Sequence, residues 1–509
     1  MSLNFFFLFF LGTVNGRSIR IPVTSQLARR RSSTCLRPLL FLFLVLFFWL
    51  QLYFTHIANS KADKGSSSAD NDTVSDSISV FNMVPSAYQK YLTVKPSNFS
   101  GDNVPKVPDP YEIQRNIEKY NEMQTVLNQN IYGPLYNDSL VLVIQVHTRI
   151  MYLRHMIVSL AQAKGIENVL LVFSHDYYDD EINELVQTID FCKVIQIFYP
   201  FSIQTHSNEF PGESPGDCPR NINKEQAIAS RCNNALHPDV YGHYREAKFT
   251  QTKHHWWWKA NRVFNQLEIT RNHTGLVLFL EEDHYLAEDF IHVLGLMEKT
   301  ARVTCPQCNI FSLGTYLKTY TYYDNAQKKE ALRLVKKHQI YSSNAANSPP
   351  SPSWSFQVLP SLYQHYQKVE QTPWLSSKHN MGMAFNRSVW HEIYNCAKAF
   401  CTFDDYNWDW SLQHVSNNCL QHKLEALVMR SPRVFHIGEC GVHHKSSCTS
   451  TIIISKVQKI LQLASKHFYP KHLSVIFMTV KKKPLKKGNG GWGDIRDHEL
   501  CLNMTIPQR

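Results

Sequence analysis

The sequence predicts an α/β fold, a doubly wound sheet behind one N-terminal membrane anchor. Three observations carry this. Continuous apolar runs at Leu140–Val146, Val169–Phe173 and Val194–Tyr199 alternate with helical stretches around Tyr152–Ala163 and Asp180–Thr188. Leu39–Ala58 is apolar over about 30 Å of helix, enough to cross a bilayer. A composition of 43% apolar and 19% charged residues in 509 supports a large core and excludes general disorder.

The N-terminal elements come first. Arg29, Arg30, Arg31 and Arg37 precede the apolar segment, and acids and serines follow it. By the positive-inside rule, residues 1–38 are a cytoplasmic tail, 39–58 a single-pass type II anchor, and the rest luminal. A cleaved signal peptide is the alternative, but the segment is long and begins late. An earlier run, Phe5–Leu11, is too short to span. Residues 59–136 open polar and proline-rich and read as a stem. The body is 137–509. Within it, 321–378 joins a basic segment, Lys328–Lys337, to the proline-rich run Ser348–Ser353, which reads as a surface insertion.

Charge and cysteines narrow the class. The net charge of +11 lies in six arginines before residue 40 and five lysines in Lys481–Lys487. The body is then neutral in sum, and no nucleic-acid partner is expected. Six N-x-S/T sequons, at Asn71, Asn98, Asn137, Asn272, Asn386 and Asn503, all follow the anchor. Eleven of the 12 cysteines do as well, so at least one stays unpaired. Cys192, inside an apolar run, is the expected free thiol. Cys305-Pro-Gln-Cys308 has no second CxxC to complete a zinc site and reads as a short disulfide.

A doubly wound sheet binds ligands beyond the carboxyl ends of its strands. His147, Arg149 and Ser174-His175-Asp176 stand there. The apolar run Leu276–Leu280 ends directly in Glu281-Glu282-Asp283-His284. Three carboxylates at a strand mouth need neutralising if buried, and Mg²⁺ or Mn²⁺ would do it; a solvated turn is the alternative. QTKHHWWWK (251–259) lies on a helix; its tryptophans suit a core or sugar stacking, and Lys253, His254 and His255 suit a phosphate or a helix surface. Phe403–Trp410 packs acids among aromatics, a chemistry that fits carbohydrate. His436 ends another apolar strand.

These residues carry a resemblance. QVHTR (145–149), FSHD (173–176), HYREAKFTQTKHHWWWK (243–259), FLEEDHYL (279–286), CTFDDYNWDW (401–410) and GGWGDIRDHELC (490–501) resemble the N-acetylglucosaminyltransferase II family over 137–320 and 379–509. The resemblance implies a GT-A glycosyltransferase fold with a Rossmann-like nucleotide-sugar half. It implies inverting transfer of N-acetylglucosamine from UDP-GlcNAc to the 2-OH of the α1,6-arm mannose of an N-glycan on a glycoprotein. The Golgi membrane is the implied location, with a homodimer left open. Gln145, Val146, His147, Thr148, Arg149, Asp176, Gln251, Thr252, Lys253, His254, His255, Glu281 and Glu282 are implied donor contacts. Asp283 and His436 are the implied Mn²⁺ ligands. An arginine that touches the donor in relatives is missing at 318–320, where Lys318 stands in.

Inversion needs a base on the acceptor side, and Asp409, flanked by Trp408 and Trp410, has that chemistry. The alternative is that it only binds acceptor hydroxyls. The family's pattern and the close cysteine pairs imply disulfides Cys218–Cys232, Cys305–Cys308, Cys396–Cys419, Cys401–Cys501 and Cys440–Cys448. A glycan-binding protein without turnover would be expected to have lost Asp283 or Asp409. An N-acetylglucosaminyltransferase I-like enzyme fits QTKHHWWWK and DDYNWDW less well.

Overall fold

Strands without a polar interruption are covered on both faces, and the sheet obeys that rule. The computed structural model describes residues 81–93, 109–314, 365–438, 450–477 and 488–505, all within the unit Asp72–Arg509. Its strands are β1 (Val126–Leu127), β2 (Val141–Val146), β3 (Leu170–His175), β4 (Lys193–Phe198), β5 (Val277–Glu281), β6 (His284–Leu286), β7 (Ile310–Ser312), β8 (Lys368–Pro373), β9 (Met383–Phe385), β10 (Glu425–Met429), β11 (Val434–His436) and β12 (Ser474–Phe477). Ten form one sheet in the order β1-β4-β3-β2-β5-β9-β7-β10-β8-β12, and β6 pairs with β11 separately.

The block β4-β3-β2-β5 is parallel throughout. Beyond β5 the sheet turns mixed, because β9 runs antiparallel to both β5 and β7. The doubly wound expectation therefore holds for the first half, while the whole is a mixed α/β sheet. Side-chain alternation along β2 assigns its two faces. Leu142, Ile144 and Val146 pack with Leu153, Met156 and Ile157 of helix Ile150–Ala161 and with Val293 and Met297 of helix Phe290–Thr304. Val141 and Val143 share the opposite core with Trp256, Trp257 and Trp390.

Two expected boundaries are corrected. The stem was expected to reach residue 136, yet Pro110–Met123 is a helix that buries Ile113 and Ile117 against Phe198. Asp109 caps it by accepting from Tyr111 N (3.2 Å), and Pro110 starts it, a pairing that favours a helix start. β1 then joins the sheet edge at β4. The insertion was expected to run to residue 378, yet β8 lies inside the sheet between β10 and β12, with Val369 fully buried. Lys368–Pro373 holds one apolar residue, Val369, so neither an apolar run nor an alternation marked it as a strand. A deletion reaching residue 370 would cut this strand.

Four of the five implied disulfides are present: Cys218–Cys232, Cys305–Cys308, Cys396–Cys419 and Cys401–Cys501. Cys192 is free and buried, as expected. Cys440 and Cys448, Lys318 and the anchor at 39–58 lie outside the described residues. Among the described residues, no helix is long and apolar enough to cross a membrane.

Candidate active site

Because β2, β3 and β5 are parallel, their carboxyl ends open on one edge and bring three loops together. β2 delivers His147, Thr148 and Arg149; β3 delivers Asp176; β5 delivers Glu281, Glu282 and Asp283. Arg149 ties two of these loops, with Nε donating to Glu282 Oε1 (2.8 Å) and Nη1 to Asp283 Oδ2 (2.7 Å). The backbone N–H of His147 also donates to Glu282 (2.8 Å). Asp176 lies between two imidazoles, His147 Nδ1 at 2.7 Å and His255 Nδ1 at 3.3 Å. Burial opposes its ionisation, but these histidines hold its carboxyl far below the usual range.

The second pair of strands explains His436. β11 aligns with β6 so that His436 faces His284, which sets His436 Nε2 3.1 Å from Asp283 Oδ2. Gly438 follows for a steric reason: a Cβ there would collide with that same carboxylate oxygen. Asp283 is buried, yet the hydrogen bond with His436 and the charge of Arg149 hold it below its ordinary pKa. Its other oxygen, Oδ1, and His284 Nε2 are buried without a hydrogen-bond partner. Such groups are costly unless something fills the space between them. Glu281, Asp283 and His284 each present a ligand atom within 4.8 Å of the others. Carboxylates with an imidazole suit a divalent cation such as Mn²⁺.

Asp409 faces this cluster from the other half. It sits in the first turn of helix Trp408–Asn418, accepting from Trp410 N (2.9 Å) and Asn380 Nδ2 (3.0 Å). Burial, with the nearby charges of Asp405 and Glu281, pushes its pKa up to about 7. The helix is held from behind by Trp408, which stacks on Trp256 at 4.6 Å with the rings nearly parallel.

The loop before it is fastened repeatedly. Asp404 accepts from Val240 N (2.6 Å) and Trp492 N (2.9 Å). Asp405 accepts from Asn407 N (2.8 Å) and Asn489 N (2.7 Å). Lys253 Nζ donates to the carbonyls of Phe403 and Asp405, and Cys401 is bonded to Cys501.

A strand-end acid cluster with a raised carboxylate near it fits more than one reaction, so the comparisons decide between readings. The model of N-acetylglucosaminyltransferase II (MGAT2) matches residues 114–346 and 356–501. The chain belongs to that family. The alpha-1,6-mannosyl-glycoprotein 2-beta-N-acetylglucosaminyltransferases of Sus scrofa and Homo sapiens are each 42% identical to it, covering 76% and 78% of this chain and 77% and 82% of theirs. The Arabidopsis thaliana enzyme of the same name is 32% identical over 75% of this chain and 78% of its own. The family match is interrupted only over 347–355, so relatives share far more of 321–378 than the sequence reading allowed.

Within this chain, the expected site residues divide into those exposed at the strand ends and those that brace them. His147 and Thr148 are exposed at the strand end, and Gln145, Arg149 and Glu281 are partly so. Glu282 is buried and committed to Arg149 and His147, which makes it a brace. The Val146 side chain belongs to the core.

Of the expected donor contacts on this helix, Lys253, His254 and His255 are buried, while Gln251 stays partly exposed. Gln251 accepts from Ile203 N (2.7 Å), with Thr252 beside it partly exposed. Lys253 and His254 are enclosed, the first by the 403–405 loop and the second by Asp497 (2.9 Å). His255 is enclosed against Ser174 and Asp176. Helix Ala247–Asn261 is buried along most of its length, so these polar groups find partners inside the protein. The three tryptophans are core.

Three residues escaped the sequence reading. His284 joins the cation candidates, and its place next to Asp283 was the available signal. Lys259 reaches under the strand end to Gln145, and its burial pulls its pKa down to about 7. Asn380, which holds Asp409, stands just beyond the expected insertion, in the stretch that resembles the family, and carried no signal of its own.

Proposed function

We propose that this chain transfers N-acetylglucosamine from UDP-GlcNAc to the 2-OH of the α1,6-arm mannose of an N-glycan core, with inversion. The observation that carries it, beyond family membership, is Asp409. This carboxylate has a pKa raised to about 7 and is close enough to Glu281 to feel its charge. A general base works best with a pKa near the operating pH. Inversion needs one displacement, with the base opposite the leaving group.

In that step the acceptor O–H proton goes to Asp409 as the oxygen bonds to the anomeric carbon. The bond from that carbon to the UDP oxygen breaks. Arg149, Glu282 and the Asp176 pair hold the strand ends rigid, so little reorganisation accompanies the reaction. Glu281, Asp283 and His284, with His436 on Asp283, would hold Mn²⁺. When bound, the ion supplies Lewis-acid compensation for the diphosphate charge.

The fold is read as GT-A, with the parallel block β4-β3-β2-β5 as its nucleotide-sugar half. A Golgi type II topology, with 39–58 as anchor, places the cleft in the lumen. Glycoproteins are the acceptors, and a homodimer is compatible with this arrangement.

The test uses the full chain with UDP-GlcNAc and Mn²⁺, on core glycans with and without N-acetylglucosamine on the α1,3 arm. Transfer to the α1,6-arm mannose of the glycan that already bears the α1,3-arm sugar is expected. Transfer to the α1,3 arm instead would refute the reading.

A further inference from the structure

Three of the four described sequons converge on one corner of the molecule. Asn137 stands in the turn before β2, Asn272 in the turn before β5, and Asn386 directly after β9. β9 is antiparallel to β5, so its end lies with the beginnings of β2 and β5. That corner is the edge opposite the cleft. A six-residue strand separates the two edges by about 20 Å.

The corner is tied together through the sequons themselves. Thr274, the hydroxyl residue of the Asn272 sequon, donates its backbone N–H to Asn137 O (2.8 Å), and Gly275 N does the same (2.9 Å). Arg387, inside the third sequon, donates to His273 O (3.0 Å) and Thr270 O (2.6 Å). A groove of about 630 Å³ runs between them, lined by Thr274, Asn386, Ser388 and His391.

The side chains are placed to carry a substituent. Asn137 and Asn272 are exposed in turns. Asn386 is half-buried as the cap of helix Arg387–Asn395, but the cap uses only Oδ1, which accepts from Val389 N (3.2 Å). Its Nδ2 is left for a bond that would not disturb the helix.

We propose that Asn137, Asn272 and Asn386 carry N-linked glycans, and that the groove beside Ser388 takes the first sugars of the Asn386 glycan. The proposal rests on the luminal placement proposed above. In the modification, Nδ2 bonds to the anomeric carbon of a lipid-pyrophosphate-linked oligosaccharide. The sugar–phosphate bond breaks, the lipid pyrophosphate leaves with the electron pair, and the amide gives up one proton. The glycans would coat the edge away from the cleft, so a chain that acts on N-glycans would not have its own within reach of its site.

The experiment is peptide mapping of the full chain from a secretory eukaryotic cell, deglycosylated with a peptide N-glycosidase in ¹⁸O-water. Labelled aspartate at 137, 272 and 386 is expected in most copies. Ser139→Ala, Thr274→Ala and Ser388→Ala should each remove one mobility step and leave transfer unchanged. Unlabelled Asn137 and Asn272 in protein whose cysteines are oxidised would overturn the inference while leaving the luminal reading intact. No labelled sequon together with reduced cysteines would overturn both. For the groove, hydrogen exchange across 387–392 should quicken on deglycosylation. Unchanged exchange would remove the groove from the proposal.

Discussion

Replacing Asp409 with asparagine tests the raised carboxylate directly. The change keeps the side-chain volume and an oxygen that still accepts from Trp410 N, but it removes the ability to take a proton. With the pKa near 7, the wild type holds roughly half its base form at pH 7, about a tenth at pH 6 and about a hundredth at pH 5. kcat/KM follows ionisations of the free enzyme. It should therefore climb about tenfold per pH unit from 5 to 6 and level above 7. The sign follows from chemistry, since only the ionised carboxylate accepts a proton. Asp409→Asn should lose this limb and about 10² to 10⁴ in kcat, with KM little changed. The assay is transfer measured by mass spectrometry between pH 5 and 9 at fixed Mn²⁺. An Asp409→Asn enzyme with near-full kcat, or one that keeps the same limb, would refute the assignment and direct attention to Asp405, whose burial also raises its pKa.

Asp283→Ala should abolish the gain in UDP affinity that Mn²⁺ confers, read by calorimetry with and without the ion; an equal gain in variant and wild type would exclude Asp283 as a ligand. Gly438→Ala places a methyl on the Asp283 carboxylate, and a displacement of that kind should cost about 10² in transfer, with thermal unfolding checked to show that the fold survives. Asp497→Asn leaves Arg245 and His254 buried beside a neutral group, so about 3 kcal/mol of stability should vanish in urea titration. The pKa of Asp497 is held down at about 2 against its own burial, chiefly by Arg245. Its contribution to stability should thus be complete above about pH 4 and disappear as pH falls toward 2.

The parallel half of the sheet was legible because burial on both faces writes itself as uninterrupted apolar runs, as in Leu140–Val146. Polar residues directly after those runs marked the cleft edge, and Asp283, Asp176 and His147 are found there. β8 was missed because Val369 is the one apolar residue of Lys368–Pro373, and the burial of Glu370 and Thr372 there leaves no apolar pattern in the sequence. Burial of Lys253, His254 and His255 could not be read from the sequence. A charged residue on a helix is ordinarily solvated, and only the fold supplies the carbonyls and the Asp497 carboxylate that receive them.

The fastening of the 403–407 loop bears on when the protein becomes competent during its own synthesis. Asn489, Gly490, Trp492 and Cys501, which pin that loop, come late in the chain. The strands that form the donor wall are translated long before them. A nascent chain emerging N-terminus first could therefore fold a pocket for the nucleotide while the proton acceptor still lacked its backing. Catalytic power would then arrive abruptly, with the docking of helix Ile495–Asn503 and closure of the Cys401–Cys501 bond, rather than growing with chain length. Partly made or C-terminally clipped molecules would hold donor without spending it.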